Sequence, residues 1–390
     1  MDYQIIGGDN STTLGFIRTL GEAGIPVRAV IIRRDHPFAS KSRYLSECTM
    51  VDSIEEGYRV LLRMAKKRKS REKVILLVDG DAYTTYLDDR YDVLSKYYIY
   101  NQAAGNIRKY NYKYEQILLA AKHGLNAPRT LTVKKGEIPE GLQYPVITKA
   151  TSAIFLRNWK SESYVCRSES ELKEAYKKIK SEEILIQQFI RKKNEYVMVG
   201  YCVNRGKDVS ICFASNHTYL VHGHLAYSFT VKDFHGEKIK RFITEVMTEI
   251  GYEGMFDVEY MLGEDGRYYF LELNLRSSGL TYAATVAGMP MPILWAEAMV
   301  KGKTDPESVK KIKKGFVTVL DIEDFVYRVR WNRMPFLKWL AEYMRADCRL
   351  YLGRKDVVPM IWLVSGMAVD SVKRVLGNLP VSHTGRRLSG

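Results

Sequence analysis

The sequence has few cysteines, no dinucleotide-binding fingerprint and no long apolar run. Its five cysteines, Cys48, Cys166, Cys202, Cys212 and Cys348, are odd in number and scattered, with no C-x-x-C pair. That spacing excludes a zinc ribbon and a disulfide framework, and it points to a reducing cytoplasm. The longest apolar run, Val357–Val369, is interrupted by Pro359 and Gly366 and is too short to span a bilayer as a helix. The opening MDYQIIGGDN lacks a basic stretch followed by an apolar core, so no signal peptide is expected. G-x-G-x-x-G is absent, because Asp9 and Asn10 follow Gly7-Gly8, and this argues against a nicotinamide dehydrogenase. No Ser-His-Asp or Cys-His arrangement and no internal repeat is present. Acidic residues are in the minority: Asp+Glu is 45 against 60 Lys+Arg, a net +15. The excess favours anionic partners such as nucleotides, phosphorylated substrates, acidic lipid or nucleic acid.

What is present is a chain of 390 residues, 46% hydrophobic and 27% charged, long enough for two or three globular domains and too apolar for disorder. Tyr3–Gly7 reads as a strand, Leu14, Ile17 and Leu20 mark a helix, and Val27–Ile32 reads as a second strand. This β-α-β opening predicts a parallel sheet, and its glycine-rich turn suits an anion. The basic run Ala65–Lys73 reads as a solvated helix end. Tyr91–Tyr114 interleaves tyrosine with basic residues, but no RNA-binding signature accompanies it and no nucleic-acid partner is expected. Further on come a helix around Tyr112–His123, strands at Tyr144–Ala150 and Glu183–Ile190, and a hairpin of Tyr196–Val203 with Asp208–Ala214. An amphipathic helix follows at Glu237–Ile250. Past Gly302, the lysine-rich Lys301–Lys314 reads as a linker or solvated helix, and Phe336–Arg345 as an amphipathic helix.

The most informative stretch is Gly254–Arg276, GMFDVEYMLGEDGRYYFLELNLR, two strands joined at Gly263-Glu264-Asp265-Gly266. Glu272, Asn274 and Arg276 share one strand face. An even four-residue turn would put Glu259 and Glu272 on the same face, within cross-strand distance. Like charges facing each other across strands repel unless a cation lies between them. Glu259, Glu272 and Asn274 therefore form a candidate hard-oxygen site for Mg²⁺, with Arg276 suited to phosphate. Asp257 on the first strand is a weaker ligand candidate, reading as a supporting or structural residue.

The order of elements resembles the ATP-grasp superfamily of carboxylate–amine and carboxylate–thiol ligases over about residues 1–300. That order is a β-α-β domain, Lys113 before a helix, Lys149 at a strand end, Gln187-Gln188 on an apolar strand, Glu195, and a hairpin ending E-x-N-x-R. The GGD start, YPVITKA without a following glycine-rich loop, and the long C-terminal extension look similar to the D-aspartate ligase type. The resemblance implies an α/β (α+β) ATP-grasp fold with a Rossmann-like pre-ATP-grasp domain over 1–110. A small subdomain over 111–190, a large subdomain with the metal site over 191–302, and a C-terminal helical extension over 303–390 would follow.

Roles carry over residue by residue. Lys113 and Lys149 look like the lysines on ATP phosphates, and Gln187, Gln188 and Phe189 like the hinge whose backbone meets adenine. Glu195 occupies the position of the ribose-binding acid. Glu259, Glu272 and Asn274 match the Mg²⁺ (or Mn²⁺) ligands, while Arg276 and Lys149 match the residues at the transferred phosphate and acyl centre. Thr151-Ser152-Ala153-Ile154-Phe155 stands where many members carry a glycine-rich loop, and Gln187 where many carry an acid at the hinge. His217, His222 and His224 fall where this superfamily often binds substrate, although packing or surface roles suit them as well.

The implied activity joins a carboxylate, such as D-aspartate, to an amine through an acyl phosphate. The amine could belong to a lipid- or nucleotide-linked peptidoglycan precursor, giving a role in cell-wall biogenesis. A ligase making a small dipeptide or amide is the alternative, and a non-catalytic nucleotide-binding or membrane-surface module is the rival class. A cytoplasmic protein, peripheral at the inner face of the membrane and homodimeric, completes the expectation.

Overall fold

The computed structural model describes residues 1–151, 162–218, 220–221 and 224–375. Ser152–Phe155 and His222 lie outside the described residues.

The first domain alternates strands and helices: β1 (Tyr3–Gly8), α1 (Ser11–Glu22), β2 (Val27–Ile32), β3 (Leu45–Val51), α2 (Ile54–Lys67), β4 (Val74–Val78), α3 (Asp81–Asp88), α4 (Tyr91–Leu94) and β5 (Tyr98–Tyr100). Its sheet is parallel in the order β3-β2-β1-β4-β5. All five residues of β4 are buried, as expected for a strand covered on both faces. Asn10 starts α1 by accepting the N–H groups of Thr12 and Thr13 at 2.9 and 3.1 Å. Strand order reverses between β1 and β4, which opens a crevice beyond their C-terminal ends.

Next come α5 (Ile107–Tyr110), α6 (Lys113–Lys122), β6 (Thr130–Lys134), β7 (Val146–Ala150), β8 (Val165–Cys166), α7 (Glu169–Lys178) and β9 (Glu183–Gln188). The strands form an antiparallel sheet in the order β6-β9-β7-β8.

The large part contains β10 (Lys192–Val203), β11 (Asp208–His217), β12 (Leu220–Val221), β13 (His224–Leu225), β14 (Ser228–Lys232), α8 (Glu237–Ile250), β15 (Gly254–Gly263), β16 (Tyr268–Asn274), α9 (Thr281–Val286) and α10 (Met291–Lys301). One hairpin face, with Val258, Tyr260, Phe270 and Leu273, packs on Leu119 of α6 and on Phe242, Val246 and Met247 of α8. That packing leaves Asp257, Glu259, Glu272 and Asn274 for the opposite face.

The C-terminal extension corrects an expectation. It is not a purely helical cap: β17 (Phe316–Val319) and β18 (Cys348–Arg349) complete a seven-stranded sheet in the order β16-β15-β10-β11-β14-β17-β18. Strands of four and two residues are too short to show a period in sequence. The helices α11 (Asp321–Phe325), α12 (Phe336–Arg345) and α13 (Val358–Val375) accompany them. Lys301 closes α10, and the lysine-rich segment beyond it holds only the short helical turn Pro306–Ser308.

The extension is also fastened to the first domain. Arg18 of α1, fully buried, lies 3.1 Å from the Asp356 carboxylate and donates to the carbonyls of Leu350, Tyr351 and Asp356 at 2.8–2.9 Å.

Candidate functional site

The hairpin brings Glu259 directly opposite Glu272 and Asp257 opposite Asn274. The expected route to this register was wrong. Gly263 N–H donates to Arg267 O at 2.9 Å, so the connection is the odd, three-residue turn 264–266, with Gly266 at φ +78°. That turn alone would pair Glu259 with Leu271. A β-bulge restores the match, because Tyr260 pairs with Phe270 while Glu259 pairs with Glu272, leaving Leu271 as the extra residue.

The two glutamates are in unequal environments. Burial, then Glu272, then Asp257 push Glu259 well above the ordinary carboxylate range. Burial also works against ionised Glu272, but Lys113, Arg276 and Lys149 outweigh it and hold Glu272 below its ordinary value. Lys113, the first residue of α6, places Nζ 3.4 Å from Glu272 Oε1. Gln116, one turn on, joins α6 to β16 through two hydrogen bonds and to the end of α5 through a third. Its Oε1 accepts Leu273 N–H at 3.0 Å, while its Nε2 donates to the carbonyls of Leu273 and Tyr110 at 2.7 and 2.8 Å.

Lys149 is on β7, where burial and then Lys113 lower its ammonium to about 8, against the pull of Glu272 and Glu195. At neutral pH it is largely charged. The same groups that depress it would be offset by a bound anion.

Arg276 stands at the junction of the first domain with the large sheet. Nε lies 2.9 Å from Asp81 Oδ1, Nη1 3.5 Å from Asp257 Oδ2, and Nη2 donates to Asn274 Oδ1 at 3.1 Å. Burial opposes its charge, but Asp81, Asp257 and Glu272 hold the guanidinium firmly protonated. The next residue, Ser277, forms a parallel bridge with Asp79 at the end of β4. Asp79 in turn accepts from Asn10 Nδ2 at 2.5 Å and Thr13 Oγ1 at 3.3 Å. The glycine-rich turn after β1 therefore borders the hairpin site.

Asp257 is buried beside Asn274 and Arg276. It accepts Asn274 Nδ2 at 2.6 Å, and burial lifts its carboxyl to about 6 despite Arg276. Asn274 departs from the expected ligand geometry: its Nδ2 lies toward Glu259 at 3.4 Å and its oxygen accepts from Arg276. Among the described residues, no group of three or more His, Cys, Asp or Glu side chains is arranged to hold a metal. The donor set that fits a hard cation is the facing pair Glu259 and Glu272, whose repulsion adds to burial in raising the Glu259 carboxyl. Asn274 would join it with its amide turned over.

The remaining expected residues lie along the edges of β9 and β10. Gln187 is buried and donates Nε2 to Thr130 Oγ1 at 2.8 Å. The N–H groups of Gln188 and Phe189 bond to Arg129 O and Pro145 O at 2.8 and 3.1 Å. Neither N–H is open to an adenine edge, which narrows the hinge expectation to carbonyl contacts. Glu195 lies 2.7 Å from Lys192 Nζ and 3.7 Å from His217 Nε2. His217 Nδ1 is bonded to Ala226 O at 2.5 Å, and burial lowers the ring's affinity for a proton.

Asp79, Asp81 and Gln116 belong to the site and were not picked out from the sequence. For the two aspartates a signal existed: they follow an apolar strand at the switch point of a parallel sheet. Gln116 carried none, since a glutamine on a helix is ordinarily solvated.

Residues 114–303 match the family described as the carbamoyl-phosphate synthase L chain, ATP-binding domain. A comparison with curated protein sequences finds no match. The L-amino acid ligase of Bacillus licheniformis superposes with a TM-score of 0.62 at 14% identity, over 80% of this chain and 78% of that one. N5-carboxyaminoimidazole synthetase of Staphylococcus aureus, in complex with ADP, gives 0.63 at 15% identity over 86% and 87%. The biotin carboxylase domain of Hydrogenobacter thermophilus 2-oxoglutarate carboxylase, bound to MgADP and bicarbonate, gives 0.60 at 16% over 80% and 73%. These likenesses show the fold: the chain has the ATP-grasp architecture.

Proposed function

We propose that this ATP-grasp chain is an ADP-forming, ATP-dependent ligase that joins a carboxylate to an amine. One observation carries the reading. The Glu259–Glu272 pair faces Lys113, with Lys149 and Arg276 acting on the same carboxylate, so a two-carboxylate wall meets three cations in one place. Such a site matches a polyphosphate with a divalent cation far better than it matches a neutral ligand.

A carboxylate is a poor acyl donor because oxide leaves badly. Transfer of the γ-phosphate to a carboxylate oxygen gives an acyl phosphate and ADP. Attack of the amine nitrogen on the carbonyl carbon then expels phosphate and, after loss of the ammonium proton, leaves an amide. Catalysis of this kind is chiefly positioning and charge stabilisation. Lys113 and Lys149 hold the phosphates, and Glu195 and the hinge Gln187, Gln188 and Phe189 orient ribose and adenine. Arg276, fixed by Asp81, Asp257 and Asn274, steadies the transferring group and the tetrahedral oxyanion. Glu259 and Glu272, joined by Asn274, would hold Mg²⁺, which when bound neutralises phosphate charge.

The finer reading takes an amino acid such as D-aspartate as the carboxylate and a peptidoglycan precursor as the amine. A second reading, the joining of two small amino acids, draws support from the likeness to an L-amino acid ligase. A panel of amino-acid and amine pairs separates them by release of ADP and phosphate with ATP and Mg²⁺. Stimulation by one pair is expected; no stimulation by any pair contradicts the ligase assignment.

A further inference from the structure

α13 (Val358–Val375) has an apolar outer face that no described residue covers. Its inward stripe is Pro359, Leu363, Gly366 and Asp370. Gly366 sits against His36 so closely that a Cβ would come within 2.7 Å of the His36 Cβ, and Asp370 bonds His36 Nε2 at 2.8 Å. The helix is therefore docked in a fixed orientation. Its other side carries Val357, Val358, Ile361, Trp362, Val364 and Val369, between 39% and 58% exposed. No charged residue interrupts 357–369. A helix apolar on all sides belongs inside a core or against lipid, not in water.

The surrounding charge selects the occupant. Arg354 and Lys355 are exposed just before the helix, and Arg43 is exposed beside them, donating to Lys355 O at 3.4 Å. Lys41 Nζ lies 4.5 Å from the centre of the Trp362 ring. Asp370 is the only acid in the helix, and it is engaged by His36 on the inward side. An apolar ridge with a basic margin is the pattern of a helix lying in the plane of an anionic membrane surface. No described helix is long and apolar enough to cross a membrane.

We propose that α13 is a membrane-docking helix. It seats Ile361, Trp362 and Val364 among the acyl chains near the headgroups of an anionic bilayer, while Lys41, Arg43, Arg354 and Lys355 meet lipid phosphates. The inference is independent of the ligase reading.

The test is flotation of the full chain with vesicles of equal parts phosphatidylglycerol and phosphatidylcholine, against phosphatidylcholine alone. Binding to the anionic vesicles is expected, weakening with salt. Ile361→Glu/Val364→Glu is expected to lose about tenfold or more of that binding, and the milder Ile361→Ser/Val364→Ser part of it. Matching melting curves for wild type and the serine variant show that the fold is kept. Failure of the wild type to float, or equal flotation of the variants, overturns the proposal. A wild-type dimer that the glutamate variant dissociates, with no vesicle binding by either, also overturns it and assigns the face to a second copy.

Discussion

Gln116 and the backbone of Leu273 pair through both of the side chain's amide atoms, at 3.0 and 2.7 Å, as one strand would pair with another. This contact binds the helix that begins with Lys113 to the strand that carries Glu272. Replacing it with Gln116→Leu leaves a buried N–H and two carbonyls short of partners, which costs roughly 2–4 kcal/mol of stability. Urea unfolding measures the loss. ATP affinity is expected to fall as well, because Lys113 loses its alignment with Glu272.

Arg276 answers to three partners at fixed angles, which a lysine cannot do. Arg276→Lys is expected to lower kcat by about a hundredfold while leaving the fold intact. Steady-state kinetics check it: a change confined to KM for ATP would mean that the guanidinium only binds nucleotide.

Glu272 both faces Glu259 and balances three cations. Glu272→Ala is expected to abolish Mg²⁺-dependent turnover with circular dichroism unchanged. Retained turnover would remove Glu272 from the metal site.

Lys149 gives a pH signature. Its folded value, about 8, lies below the ordinary 10.5. The unfolded chain binds the extra proton between those limits, so the ligand-free protein gains stability as pH rises from about 8 to 10.5 and bears the full cost of the buried charge below 8. Lys149→Met is expected to be more stable than wild type at pH 7 by roughly 1–3 kcal/mol, yet weaker for ATP. In the wild type, KM for ATP should climb above about pH 8. Asp257 works at the acid end. Its value of about 6 exceeds the ordinary 3.8, so its contribution falls as pH rises from about 4 to 6.

Arg18 and Asp356 tie the C-terminal extension to the first domain through a fully buried pair. Asp356→Ala strands the guanidinium and is expected to cost about 3–5 kcal/mol. A thermal melt that shows no loss would mean that the extension is held by its strands alone.

The sequence made the Glu259–Glu272 meeting legible, because alternation places acids on one hairpin face and like charges need a reason to meet. It led there by a wrong turn, since a bulge at Leu271 has no residue signature of its own. Lys113 and Lys149 were singled out through resemblance and Arg276 first from its place on the hairpin face, and the structure gathers all three around Glu272. Their partners Asp81 and Gln116 were not legible, because contacts between distant segments leave no local pattern. The same limit hid β17 and β18, whose pairing is decided by neighbours far away in sequence. Conversely, the apolar run Val357–Val369 was visible at once, but only docking on His36 shows which side is left open.

The central claim is an acyl phosphate made at the expense of ATP, and hydroxylamine tests it without knowledge of the natural amine. The full chain is incubated with ATP, Mg²⁺, hydroxylamine and a panel of amino-acid carboxylates, and hydroxamate and nucleotide products are measured together. The account predicts hydroxamate from at least one carboxylate, with equal amounts of ADP and phosphate, and none from Glu272→Ala. Hydroxamate accompanied by AMP and pyrophosphate would contradict it, as would nucleotide binding without hydroxamate from any carboxylate.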